Sequence, residues 1–138
     1  KGQYFSCKYG LAQMVKQDVG GVVILIASIT ALSGMSPNVS YSSSKAGVVN
    51  LARHIAVHYG PKGIRANSIS PGPLERTPDF DSHPDPVGRK KDYLDKMPVG
   101  RLGTAEDIAP FITFLSTDDA SYASGANFVI DGGWTIIS

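Results

Sequence analysis

The chain has 138 residues, 42% of them hydrophobic and 18% charged, with a formal net charge of +1. That length suffices for one domain with a real core, and the near-neutral charge gives no case for nucleic acid or an anionic membrane as partner. No apolar run approaches the roughly 20 residues that span a bilayer, and the only cysteine, Cys7, excludes an internal disulfide and suits a reducing, cytoplasmic setting. No signal peptide is visible, although a chain starting at Lys1 could have lost one.

Taken in order, residues 1–18 read as an amphipathic helix. Phe5, Tyr9 and Ala12 fall on one side, Leu11, Met14 and Val15 form a broad apolar stripe, and Gly20 and Gly21 end the helix. Val22 to Ala27 is a continuous apolar, β-branched run, which suits a central parallel strand. The loop from Ile29 to Ser40 carries Gly34 and Pro37. Its candidate substrate contacts are Met35 and Asn38, with ordinary loop packing as the alternative. Tyr41 to Tyr59 is a helical pattern. Tyr41, Lys45, Val48, Ala52, Ile55, Ala56 and Tyr59 share the stripe expected to face a sheet. Ala46, Gly47, Asn50, His54 and Val57 lie opposite, small and mildly polar where a solvated face would be charged, which suggests a subunit interface. His54 and His58 sit in H-I-A-V-H, which lacks the glutamate of H-E-x-x-H, so no metal site is expected.

Pro61-Lys62-Gly63 is a turn, and Ile64 to Ser70 the next strand. Pro71, Gly72, Pro73 and Leu74 follow it. Gly72 would let the backbone pass close to a ligand, and Pro71 would stiffen the turn. Residues 77–97 are polar and proline-rich, the composition of a long loop beside a site; Phe80, His83 and Tyr93 are either substrate contacts or loop packing. Thr104 starts the last helix, with Glu106 and Asp107 in its first turn. Residues 124–133 read as a short final strand and a glycine turn. No G-x-G-x-x-G phosphate cradle is present, and a doubly wound α/β sheet would need on the order of 100 further residues upstream. The 138 residues are therefore expected to be the C-terminal half of a larger domain.

Chemistry concentrates between residues 28 and 45. Open α/β sheets place ligands beyond the carboxyl ends of their strands. Ser28 sits where a strand ends, and Tyr41 and Lys45, four apart, share one face of a helix start. A free tyrosine, with a pKa of about 10, is a poor proton donor or acceptor near neutrality. A neighbouring ammonium favours the phenolate and makes Tyr41 a usable general acid or base. The Ser28 hydroxyl can hold the substrate oxygen, and Lys45 has donors to spare for a ligand's hydroxyls.

A serine thirteen residues before Tyr-x-x-x-Lys resembles the short-chain dehydrogenases/reductases. So do Asn67-Ser68-Ile69-Ser70-Pro71-Gly72 after a strand, the run Gly100 to Ala109, and the ending Ser124 to Gly133. The resemblance covers nearly the whole chain. It implies a Rossmann-like parallel sheet with helices on both faces, and a hydride passing between NAD or NADP and a carbonyl or secondary alcohol. It implies Ser28, Tyr41 and Lys45 as catalytic residues, and Tyr41, Lys45, Pro71, Gly72, Leu74 and Thr77 along the cofactor. Substrate would meet Ser28, Met35, Asn38 and Pro73. The family threonine usually falls where Arg76 stands, one residue before Thr77. A catalytic asparagine of the family would lie two positions before Lys1. A homotetramer through the 41–59 helix and the C-terminal strand is also implied. The other readings are an inert fragment, or a binding or regulatory protein that kept the fold.

Overall fold

The computed structural model describes residues 1–34, 36, 38–76, 80 and 83–137. Among them three strands, β1 Gly21–Ile26, β2 Ile64–Pro71 and β3 Asn127–Ile130, form a parallel sheet in the order β1–β2–β3. Among the described residues, it is accompanied by the α-helices α1 Gly2–Gln17, α2 Val39–Tyr59, α3 Pro86–Lys96 and α4 Ala105–Ser116.

Successive strand residues point to opposite faces, and here both faces are covered. Val23 and Leu25 of β1, with Ile64 and Ala66 of β2, pack against Leu11 of α1 and Val49, Ala52 and Ile55 of α2. Ile24 and Ile69 turn the other way, onto Ile108, Ile112 and Leu115 of α4. Burial on both sides is why β1 is apolar without alternation.

Helix α2 buries Val48, Val49, Ala52 and Ile55, so the expected stripe is right in its middle. Its leading member departs from it: Tyr41 is 43% exposed, because it stands at the head of the helix beyond the sheet. Helix α1 departs further. It buries Cys7 and Leu11 and leaves Tyr4, Phe5 and Tyr9 exposed. Its left-handed cap is Asp18, at φ 53°, rather than a glycine. Gly20 has a separate reason to be glycine: its φ is 74°, and a Cβ there would stand 2.6 Å from Gly63 O.

The β2–β3 half of the sheet carries polar residues in its interior. Asn67, Ser68 and Ser70 are buried. Asn67 donates to Ala123 O (2.7 Å) and accepts from Ala126 N (3.0 Å). Ser68 and Ser70 both donate to Asn127 Oδ1, at 2.8 and 2.9 Å. Arg65 donates to Leu115 O and Thr117 O at the end of α4 and to Ala123 O, supplying the helix's last carbonyls with donors.

Residues 77–97, expected to be loop, contain α3. Asp85 caps it, accepting from Gly88 N at 2.9 Å, and Pro86 occupies its first position.

Candidate active site

The three strands all end on one side, and each end carries part of the candidate site. Beyond β1, Ala27 N still donates to Ile69 O (2.7 Å), so the chain stays on the sheet line up to Ser28. Ser28 is extended and caps a short 3₁₀ turn, Ile29–Ala31, with Oγ accepting from Thr30 N at 3.3 Å. A hydroxyl that accepts there can still donate its proton to a substrate oxygen.

Helix α2 delivers the other two groups. Lys45 Nζ donates to Ile26 O, the last carbonyl of β1, at 3.0 Å. The ammonium lies 5.5 Å from the centroid of the Tyr41 ring. Strand end and helix start are thus tied through a charged group that faces the tyrosine ring. Ile26 O also accepts from Gln3 Nε2 of α1 (2.9 Å), a contact that sequence spacing does not reveal. Lys45 uses one of its three donors in this bond.

Asn38, expected to meet substrate, caps a helix. Its Oδ1 accepts from Tyr41 N (3.0 Å) and from Ser40 Oγ (2.9 Å) and so caps α2. An asparagine just ahead of an apolar-periodic stretch is a helix-start signal, and that signal was available in the sequence. Met35 and Thr77 lie outside the described residues.

Beyond β2, Gly72 N donates to Ile130 O at 2.9 Å, and a Cβ on Gly72 would come within 2.6 Å of Asp131 Cα. The glycine is therefore required by the backbone at the end of β3, not only by any ligand. Pro73 and Leu74 are half-buried. They are fixed by Gly103, whose N donates to Pro73 O (3.0 Å) and whose O accepts from Glu75 N (2.8 Å).

Gly103 in turn leads into the cap of α4. Asp107 accepts from Thr104 N at 2.8 Å and holds Arg101 in a two-pronged ion pair, both contacts at 2.7 Å. The Arg101 guanidinium, then the Thr104 N–H, hold the Asp107 carboxyl well below the usual carboxylate range. The Gly100–Ala109 run thus acts as a clamp on the Pro73–Leu74 loop.

Phe80 and Tyr93 pack with Met97, Leu102 and Trp134, while His83 is exposed. Arg76 is exposed too. The His54 and His58 rings lie 4.2 Å apart on α2. Among the described residues, no group of three or more His, Cys, Asp or Glu is placed to hold a metal ion, and no helix is long and apolar enough to cross a membrane.

A family model described as Enoyl-(Acyl carrier protein) reductase matches residues 1–135. Dehydrogenase/reductase SDR family member 6 of Xenopus laevis is 33% identical over 140 residues, which cover 99% of this chain and 57% of that protein. The chain belongs to the short-chain dehydrogenases/reductases. Among other relatives in this family, an L-rhamnose 1-dehydrogenase (NAD(P)(+)) of a Sphingomonas strain is 39% identical over 133 residues, covering 96% of this chain and 52% of that protein. The structure of an Agrobacterium tumefaciens protein described as a 2-deoxy-D-gluconate 3-dehydrogenase, solved with bound NADP, superposes with a TM-score of 0.89 at 34% identity, over 97% of this chain and 54% of that one. A 4-hydroxyisoleucine dehydrogenase complexed with NADH superposes with a TM-score of 0.84 at 28% identity, over 96% and 54%. The chain spans about half the length of the curated relatives it matches. The doubly wound α/β architecture of these short-chain dehydrogenases/reductases is the one seen here.

Proposed function

We propose that the full-length protein is an NAD(P)-dependent dehydrogenase or reductase acting on a small carbonyl or secondary alcohol, with Tyr41 as general acid/base. The observation that carries this is the Lys45 ammonium, bound to the last carbonyl of β1 and facing the Tyr41 ring. On this reading the 138 residues form the C-terminal, catalytic portion of one domain.

Ser28 would donate to the substrate oxygen and orient it. Tyr41 Oη would take the alcohol proton in oxidation, or give it to the carbonyl oxygen in reduction. Lys45, fixed by Ile26 O beside the Tyr41 ring, would offer its remaining donors to ribose hydroxyls. The donor set therefore suits a nicotinamide dinucleotide, which supplies or accepts the hydride when bound. Tyr41, Lys45 and the Pro71–Leu74 loop, with Thr77, would line it. The names of the relatives make L-rhamnose with NAD⁺ or NADP⁺ the first pair to assay.

The exposed α2 face, with Ala46, Gly47, Asn50 and Val57, supports assembly through this helix. Tyr4, Phe5 and Tyr9 on α1 are exposed apolar side chains too. With the C-terminal strand as a further contact, the assembly proposed is a homotetramer.

Tyr41→Phe in the full-length protein tests the mechanism. Turnover should fall by about 10²–10⁴-fold, the usual worth of a general acid or base, with cofactor affinity retained. A variant keeping most of the wild-type rate would overturn the assignment.

A further inference from the structure

We infer that Trp134 is a positioning residue for substrate selection, because it clasps α3 at the carboxyl end of the sheet; this rests on the oxidoreductase reading above. Helix α3 is polar, 11 residues long, and buries no residue fully. Isolated helices of that length are marginal in water, so its place depends on what holds its few inward side chains.

Tyr93 is the chief of these. Its ring stacks on Trp134, with centroids 4.9 Å apart and planes 16° from parallel. Phe80 meets the same ring edge-on at 5.3 Å. Arg89 donates to Tyr93 Oη at 3.2 Å, and its guanidinium lies 4.9 Å from the ring centre.

Trp134 is itself held rigidly. It belongs to the turn after β3, and Asp131 accepts there from Gly133 N (3.0 Å), Thr135 N (2.8 Å) and Thr135 Oγ1 (2.6 Å). These donors hold the Asp131 carboxylate in its charged form against the desolvation that burial imposes. The turn also grips the segment that follows α3. Cβ atoms on Gly132 and Gly133, whose φ angles are 64° and 87°, would stand 2.7 Å from Val99 and 3.0 Å from Pro98.

The excursion that includes α3 leaves the sheet after Leu74 and returns at Gly103, and these two residues bridge each other. With its base closed there, the 131–134 turn holds the far part of the excursion through Tyr93 on α3 and through Pro98 and Val99 after it. Ligands of open α/β sheets bind at this edge, so where Trp134 holds α3 sets the room a substrate finds.

The test uses the full-length protein with Trp134→Leu, Trp134→Phe and Tyr93→Leu. Trypsin cleavage after Arg89, Lys90 and Lys91, located by mass spectrometry, should quicken about tenfold in Trp134→Leu and in Tyr93→Leu and stay near wild type in Trp134→Phe. In the assay with L-rhamnose and 2-deoxy-D-gluconate, KM for whichever is oxidised should rise about tenfold in both leucine variants, with kcat within about threefold. NAD(P)⁺ affinity should not change. Unchanged cleavage in α3 overturns the clasp, as does cleavage that quickens at every site alike. Loosened α3 with an unchanged KM overturns the selection role. A wild type that oxidises neither substrate overturns that role too, while the trypsin result still decides whether Trp134 holds α3.

Discussion

At Lys45 a single backbone carbonyl decides where a charge sits. Ile26 O is the end of β1, so the ammonium is placed by the sheet rather than by the flexible side chain that carries it. Lys45→Met should leave the fold intact and weaken NAD(P)H binding about tenfold, read by titration of cofactor fluorescence; an unchanged dissociation constant would remove the ribose role. Asn38 acts one step earlier, by fixing the backbone of Tyr41. Asn38→Ala should cost about 1 kcal/mol of stability, the usual worth of an N-cap, while Asn38→Asp should keep the cap; thermal melts of the two variants check this. Ser28, Tyr41 and Lys45 were legible in the sequence because their relation is local: a strand end, a helix start and a spacing of four. The reason for Gly72 was not legible, because the atom it must avoid belongs to Asp131, far along the chain.

Among the elements, the start of α4 shows how a charge pair can hold a loop. The Arg101–Asp107 pair and the Thr104 cap are partly solvated, so their worth lies in geometry: they orient Gly103, which fixes Pro73 and Leu74. The Asp107 carboxyl is depressed in the folded state, so its stabilisation is present above the ordinary carboxylate pKa of about 4 and is lost as pH falls below it. Thermal midpoints measured from neutral pH down to about 3 should therefore drop less steeply in Arg101→Met than in wild type. Parallel curves would show that the pair adds no acid-sensitive stability. Thr104, Glu106 and Asp107 made this helix readable in advance. Helix α3 was missed for a physical reason. Its polar run offers no apolar stripe, and the Tyr93–Trp134 stack that seats it joins residues about forty positions apart. Only the Asp85-Pro86 start carried a local signal.

For the whole molecule, the surface of α2 bears on assembly. Gly47 has open space where a Cβ would stand, and Val57 is 69% exposed. Two-fold interfaces are self-complementary, so one added charge enters in pairs. Gly47→Arg should then disrupt the proposed tetramer and lower activity, since the same helix carries Tyr41 and Lys45. Light scattering of the full-length protein is the check. A wild type monomeric at micromolar concentration refutes the assembly, and a tetrameric Gly47→Arg moves the interface toward β3.

The pairing of Ser68 and Ser70 with one amide oxygen of Asn127 has a consequence for how the sheet forms. β3 joins β2 only after nearly sixty intervening residues, so the alignment of the two strands is chosen late, with little help from local chain geometry. A shift of one residue would bring Ala126 or Phe128 opposite Ser68 and take the Asn127 amide oxygen away from both serine hydroxyls in the interior, where an unmade hydrogen bond costs about 1–3 kcal/mol. The polar cluster therefore works as a proofreading device: beside the Asn67 bonds to Ala123 and Ala126 and the apolar face of Phe128 and Ile130, this chemical match penalises the neighbouring alignments of so short a strand. Asn127→Leu should accordingly weaken that discrimination and give a slower, more aggregation-prone refolding than the loss of two hydrogen bonds would itself produce, measurable as reduced recovery after dilution from denaturant. Recovery equal to wild type would mean that the hydrophobic pattern chooses the alignment unaided.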